Sequence, residues 1–212
     1  MKALLLKDFY MAKRYCRAYL LIIAVFLLTA VFSHGQNLFF LGYPCVLAGM
    51  VPTTLLSFDE RMGWTAYCGC LPYTKAQLVG EKYLLGLIAQ VLVWLLTMGC
   101  MALSMTRGGF DGRTFAVTAL ILIAVSMLPG AINLPAILLL GTERGRIVTL
   151  GVVALLCGGG AVMNLQSRED AAAVTLSGFP LSAAVLTAAV SALLYALSFF
   201  LALRCYPGKL KD

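Results

Sequence analysis

The stretch AYLLIIAVFLLTAVFSHGQNLFFLGYPCVLAGMVPTTLLSF, residues 18–58, runs for 41 residues without an Asp, Glu, Lys or Arg. As one helix it would extend about 60 Å, twice the hydrocarbon thickness of a bilayer. Ser33-His34-Gly35-Gln36-Asn37 supplies a polar break near its middle, so the stretch predicts two membrane-spanning helices. Outward from it, four further uncharged runs occupy residues 83–106, 114–142, 147–167 and 171–203. Each reaches the roughly 20 residues that one span needs. The pattern predicts an all-α polytopic membrane protein with six transmembrane helices.

An even number of spans places both termini on one side, and the cations choose the side. With the termini in the cytoplasm, thirteen of the 16 basic residues fall on that face. Only Arg107, Arg113 and Arg168 fall on the other. Lys and Arg in short loops are retained inside, so both termini are expected to be cytoplasmic. The chain is 61% hydrophobic and 12% charged, where soluble domains average about 25% charged. The longest segment between spans, residues 58–82, is too short to build a core of its own, which leaves a single transmembrane domain over residues 1–212. Topology and anionic lipid account for the net charge of +7 without invoking nucleic acid.

Chemistry-bearing groups are scarce. His34 is the only histidine, and no G-x-x-x-x-G-K-[ST] run is present to cradle nucleotide phosphates. Of the seven cysteines, Cys68 and Cys70 are the one close pair, and they lack the second pair or histidine that zinc would require. A reduced structural pair is expected there. No catalytic, metal-binding or cofactor-binding residue is expected in this chain. Inside the uncharged runs the polar candidates are the amides Gln90, Asn133 and Asn164, with Pro44, Pro52, Pro129 and Pro135 as kink sites. Interhelical hydrogen bonding and packing are the favoured roles for the amides. Ion-coupled carriers usually keep an intramembrane acid or histidine, so a stand-alone secondary carrier ranks below a subunit driven by another chain, and a non-transport scaffold is a further alternative. Residues 171–180 are expected at the outer surface, dipping partly into the membrane.

Two segments outside the spans carry pattern. In residues 1–17 the five cations Lys2, Lys7, Lys13, Arg14 and Arg17 fall on one side of a helical wheel. Leu4, Leu5, Phe9, Met11, Tyr15 and Cys16 lie on the other, with Asp8 the exception, which predicts a helix lying along the inner membrane surface. In residues 58–82, Ser57 and Glu60 have capping-box spacing and Trp64, Tyr67 and Leu71 recur on one helical face. Pro72 interrupts, and Thr74 with Gln77 repeats the capping-box spacing. The segment predicts a helix of about three turns from Asp59, then a second helix that continues into the third span.

The run Phe58-Asp59-Glu60-Arg61-Met62-Gly63-Trp64, followed by Leu71-Pro72-Tyr73-Thr74-Lys75 and Glu81-Lys82-Tyr83, resembles bacterial ABC-2 type transporter permeases. It is most similar to the short permeases that include peptide exporters of the phenol-soluble modulin type. The resemblance implies a permease that works as a homodimer or with a paralogous permease, paired with separate ATP-binding cassette ATPase subunits that hold ATP and Mg. It implies a cytoplasmic coupling helix between spans two and three, with Asp59, Glu60, Trp64 and Tyr67 on the ATPase-facing helix and Leu71, Pro72, Thr74 and Lys75 at its turn. It also implies export of an amphipathic or hydrophobic substrate, a peptide or a lipid-like molecule, across a bacterial cytoplasmic membrane.

Overall fold

The computed structural model describes residues 2–15, 17–32, 38–68, 74–106, 112–169 and 180–205. They form seven helices: α1 (Lys2–Tyr15), α2 (Arg17–Phe32), α3 (Leu38–Arg61), α4 (Trp64–Cys68), α5 (Lys75–Thr106), α6 (Gly112–Glu169) and α7 (Leu181–Cys205). Among the described residues there is no strand. Four helical segments are long and apolar enough to cross a bilayer on their own: Phe40–Arg61, Ala76–Leu103, Gly112–Gly141 and Leu181–Arg204. The pair α1 and α2, bent by 65°, counts as a fifth if taken as one span. This count stops short of the six expected spans. The expected dip at residues 171–180 falls almost wholly outside the described residues.

In α6 helix length alone misleads. As a straight rod the 58 residues of α6 would extend about 87 Å, but the helix is broken at Gly141, with φ 81° and ψ 172°. That region of backbone space is essentially open to glycine alone. Past the break the chain doubles back. A Cβ on Gly145 would stand 2.5 Å from Ile137 Cγ1 and 2.9 Å from Ile137 Cα, an approach impossible across eight residues of continuous helix. Thr149 and Ile137 accordingly line one cavity. The short basic segment at residues 141–146 is thus the tip of a helical hairpin.

Three apolar clusters among the described residues hold the helices together, and α5 belongs to each; the smallest joins Leu55 of α3 to Leu85 of α5, and the other two are larger. In one, Ile23 and Leu27 of α2 meet Leu41 and Ala48 of α3, Val93 and Met101 of α5, and Leu122 of α6. In the other, Val79 and Tyr83 of α5 pack with Leu134 of α6 and with Tyr195 and Ala202 of α7. Helices in lipid associate through such packing rather than through escape from water. The outer face of α7, with Leu186, Leu193 and Phe200 largely exposed, suits contact with acyl chains.

Candidate functional site

Asp59 and Glu60 do not open a new helix. Ser57 donates its hydroxyl to the Thr53 carbonyl at 3.0 Å, an intrahelical bond, and α3 runs on through Arg61. The expected capping box at Ser57 and Glu60 is therefore the last turn of the preceding helix. Gly63, with φ 69°, ends it: the Met62 amide donates to Phe58 O at 3.0 Å and the Gly63 amide to Glu60 O at 3.1 Å, a left-handed glycine stop. The helix that follows, α4, starts at Trp64 and not at Asp59, and its described part is Trp64–Cys68.

Two acids at a helix C-terminus oppose the macrodipole, so Asp59 needs external cations. It has two. Lys7 of α1 donates to Asp59 Oδ1 at 2.8 Å, and Lys82 of α5 donates to Asp59 Oδ2 at 2.5 Å. Asp8 of α1 completes the set, since Lys82 also donates to its Oδ2 and Lys7 Nζ lies 3.1 Å from its Oδ1. The last contact is an ion pair by distance without hydrogen-bond alignment, because Asp8 Oδ1 has no hydrogen-bond partner among the described residues. Each carboxylate touches both ammonium groups, closing a ring of two positive and two negative charges. Asp8, Asp59 and Lys82 are 0%, 2% and 5% exposed. At this depth an unpaired charge would be expensive, and pairing is what makes burial tolerable.

α4 rests on this ring. Lys7 Nζ lies 3.9 Å from the Trp64 ring centroid, a cation–π contact, and the Trp64 and Tyr67 rings are 5.5 Å apart. Trp64 is half-buried while Tyr67 is 59% exposed, so the face expected to present both outward is split between them. Beside Trp64, buried Glu81 lines a small space of about 30 Å³ with Asp59, Cys68 and Lys82. Burial pushes the Cys68 thiol up from its ordinary range, against the nearby Lys7 charge. Cys68 is free. Cys70, Leu71 and Pro72 lie outside the described residues.

At the start of α5 the Thr74 amide donates to Gln77 Oε1 at 3.2 Å, which is the Gln77 arm of the expected capping box, and Lys75 opens the helix. Glu60 is exposed and points toward the hairpin tip, where a Cβ on Gly141 would lie 3.7 Å from its Oε1. The eight expected residues therefore divide. Asp59 is locked in the ring, Trp64 covers it, and Glu60, Tyr67 and Thr74 face outward.

Lys7, Asp8 and Lys82 were not singled out as site residues by sequence. The signal was present in Asp8, the one acid in an otherwise basic and apolar segment. Deeper in the bundle the helices are tied by other groups than the amides. Tyr195 donates to the Tyr83 carbonyl at 2.9 Å, the Tyr83 and Ser198 hydroxyls share a bond of 2.7 Å, and Trp94 donates to the Ala119 carbonyl at 3.1 Å. Gln90 and Asn133 are buried with no hydrogen-bond partner among the described residues. The side chain of Asn164 lies outside the described ones.

A family model described as ABC-2 family transporter protein matches residues 3–207. No curated protein and no solved structure matches the chain.

Proposed function

The chain belongs to the ABC-2 family of transporter proteins and is a multi-pass membrane permease; from that premise we propose that it is one of two permease subunits of an exporter driven by separate ATP-binding cassette ATPases. Nucleotide chemistry, with ATP and Mg, belongs to those partners. The membrane is the bacterial cytoplasmic membrane, both termini face the ATPase side, and the substrate is amphipathic or hydrophobic, a peptide or lipid-like molecule suited to spans without charge.

Six crossings are supported by parity. The ring brings the middle of α1, the end of α3 and the start of α5 together, Gly141 lies beside Glu60, and Ala202 shares an apolar cluster with Val79. The chain therefore leaves this end in α2 and returns in α3. It also returns here in both the first limb of α6 and α7, which supports a further crossing away from this end between Gly141 and Leu181. The same end collects Lys7, Arg61, Lys82 and Arg204, which agrees with the charge asymmetry read from sequence.

The observation that carries the reading is the ring itself. It ties the surface helix, the end of one span and the start of the next to α4 through Trp64, so a displacement of α4 by a closing ATPase would tilt three helices as one body. Glu60, Trp64, Tyr67, Leu71, Pro72, Thr74 and Lys75 form the proposed coupling surface, backed by buried Asp59, with Tyr67 its outward aromatic anchor. Tyr67→Ala removes an exposed side chain with little demand on folding. An anchor of this kind contributes about 2 kcal/mol at an interface, so co-purification of the ATPase should fall more than tenfold while the permease stays monodisperse. Full retention of the ATPase would assign Tyr67 to lipid and remove the coupling role.

A further inference from the structure

A cavity of about 240 Å³ lies at the same end of the molecule but on the other side of α3 from the ring, between α2, α3 and the two limbs of α6. One wall is polar. Thr53 donates to Met50 O at 2.7 Å, Ser57 to Thr53 O at 3.0 Å and Thr149 to Gly145 O at 3.0 Å. Each of these hydroxyls spends its single proton on its own helix and offers the cavity an acceptor oxygen. The donors come from elsewhere. Tyr19, 3.4 Å from Thr54 Oγ1, supplies one hydroxyl, and Arg61 supplies a guanidinium.

Arg61 is exposed and has no ion pair among the described residues, which places an uncompensated cation at the cavity mouth. The remaining wall is apolar, built from Phe58, Ile137 and the exposed Leu150. A ligand that fits must bring an anionic oxygen group for Arg61, hydroxyl donors for the inner oxygens, and an alkyl portion for the apolar wall. The volume equals that of about eight liquid waters, enough for a head group and too small for a whole drug-sized ligand. Basic pockets between spans on the cytoplasmic side are the usual receptors for anionic lipid heads, and arginine is suited to phosphate oxygens.

We infer that this cavity is a binding site for one phosphate-bearing, hydroxyl-rich phospholipid, of the phosphatidylglycerol type, taken from the leaflet at the Arg61 end. The site needs no ATPase, so its test stands apart from the transport reading. The purified full-length chain in neutral detergent is incubated with phosphatidylglycerol or phosphatidylcholine of identical acyl chains, and retained lipid is counted by native mass spectrometry. One phosphatidylglycerol per chain should be kept and phosphatidylcholine washed away. Arg61→Gln should lower retention about tenfold, while Arg144→Gln, which removes another exposed cation, should leave it unchanged. Ser57→Leu fills the cavity with the cation intact and should also abolish retention. Equal loss from the two arginine variants, or wild-type retention in Ser57→Leu, would place the lipid on the general basic surface and overturn the assignment. Displacement of the lipid by millimolar inorganic phosphate would likewise overturn it, since a head-only anion site has no use for the apolar wall.

Discussion

Two turns meet at the same end of this molecule, and they are held by opposite physics. The turn after α3 is a glycine stop at Gly63 leading into α4, and it is secured by charge through Asp59, Lys7, Lys82 and Asp8. The turn inside α6 is a glycine break at Gly141, and it is secured by contact, with the backbone at Gly145 pressed against Ile137. A charge-held turn responds to any partner that moves one member of the ring, and a contact-held turn does not. The first is suited to receive a displacement and the second to act as a fixed fulcrum beside it.

The largest effect expected from breaking this contrast is at Lys82. Lys82→Met keeps the stem and removes the cation shared by two buried carboxylates, the kind of change that costs about 3–5 kcal/mol. The variant should lose its monodisperse peak in detergent or unfold at a much lower temperature. Adding Asp8→Asn removes one of the stranded charges and should restore part of the loss. A single variant within about 1 kcal/mol of the parent would mean that the ring is an incidental surface pair.

The contact-held turn should break more gently. Gly145→Ala places a methyl 2.5 Å from Ile137 Cγ1 and 2.9 Å from Ile137 Cα, and overpacking of this kind costs about 1–3 kcal/mol. Ile137→Ala in the same chain relieves the first clash and leaves the second, because a backbone atom cannot be trimmed, so recovery in thermal unfolding should be partial. Complete recovery would show that the limbs of α6 are separable and that the hairpin is not a rigid fulcrum.

The two turns also differed in how much sequence revealed. Four of the uncharged runs announced helices long and apolar enough to span, because burial in hydrocarbon leaves a compositional trace, and the segment from Gly141 to Arg146 stood out as a short basic break. The ring left no comparable trace. Its bonds join residues 52, 74 and 23 positions apart, and Lys82 read only as one of the cytoplasmic cations at the entry to the third span. Ser57 and Glu60 carried the spacing of a helix start, but spacing does not report whether the backbone has left helical geometry, and here it had not. The glycine that ends the helix lies three residues past Glu60, where a positive φ was the deciding fact.

Thr74 and Gln77 show the same spacing with the opposite outcome, and they give the smallest predicted effect. The chain enters α5 from outside helical geometry, so the Thr74 amide is an orphan donor and Gln77 Oε1 satisfies it at 3.2 Å. The bond is exposed, and water can replace the lost partner. Gln77→Ala should therefore cost about 0.5 kcal/mol, at the low end for a cap, with no change in oligomeric behaviour. Hydrogen exchange at the first turn of α5 should rise while the amides around Lys82 remain protected. If the faster exchange spread to Lys82, the cap and the ring would form one cooperative unit, and the charge-held turn would depend on its exposed entry as well as on its buried ions.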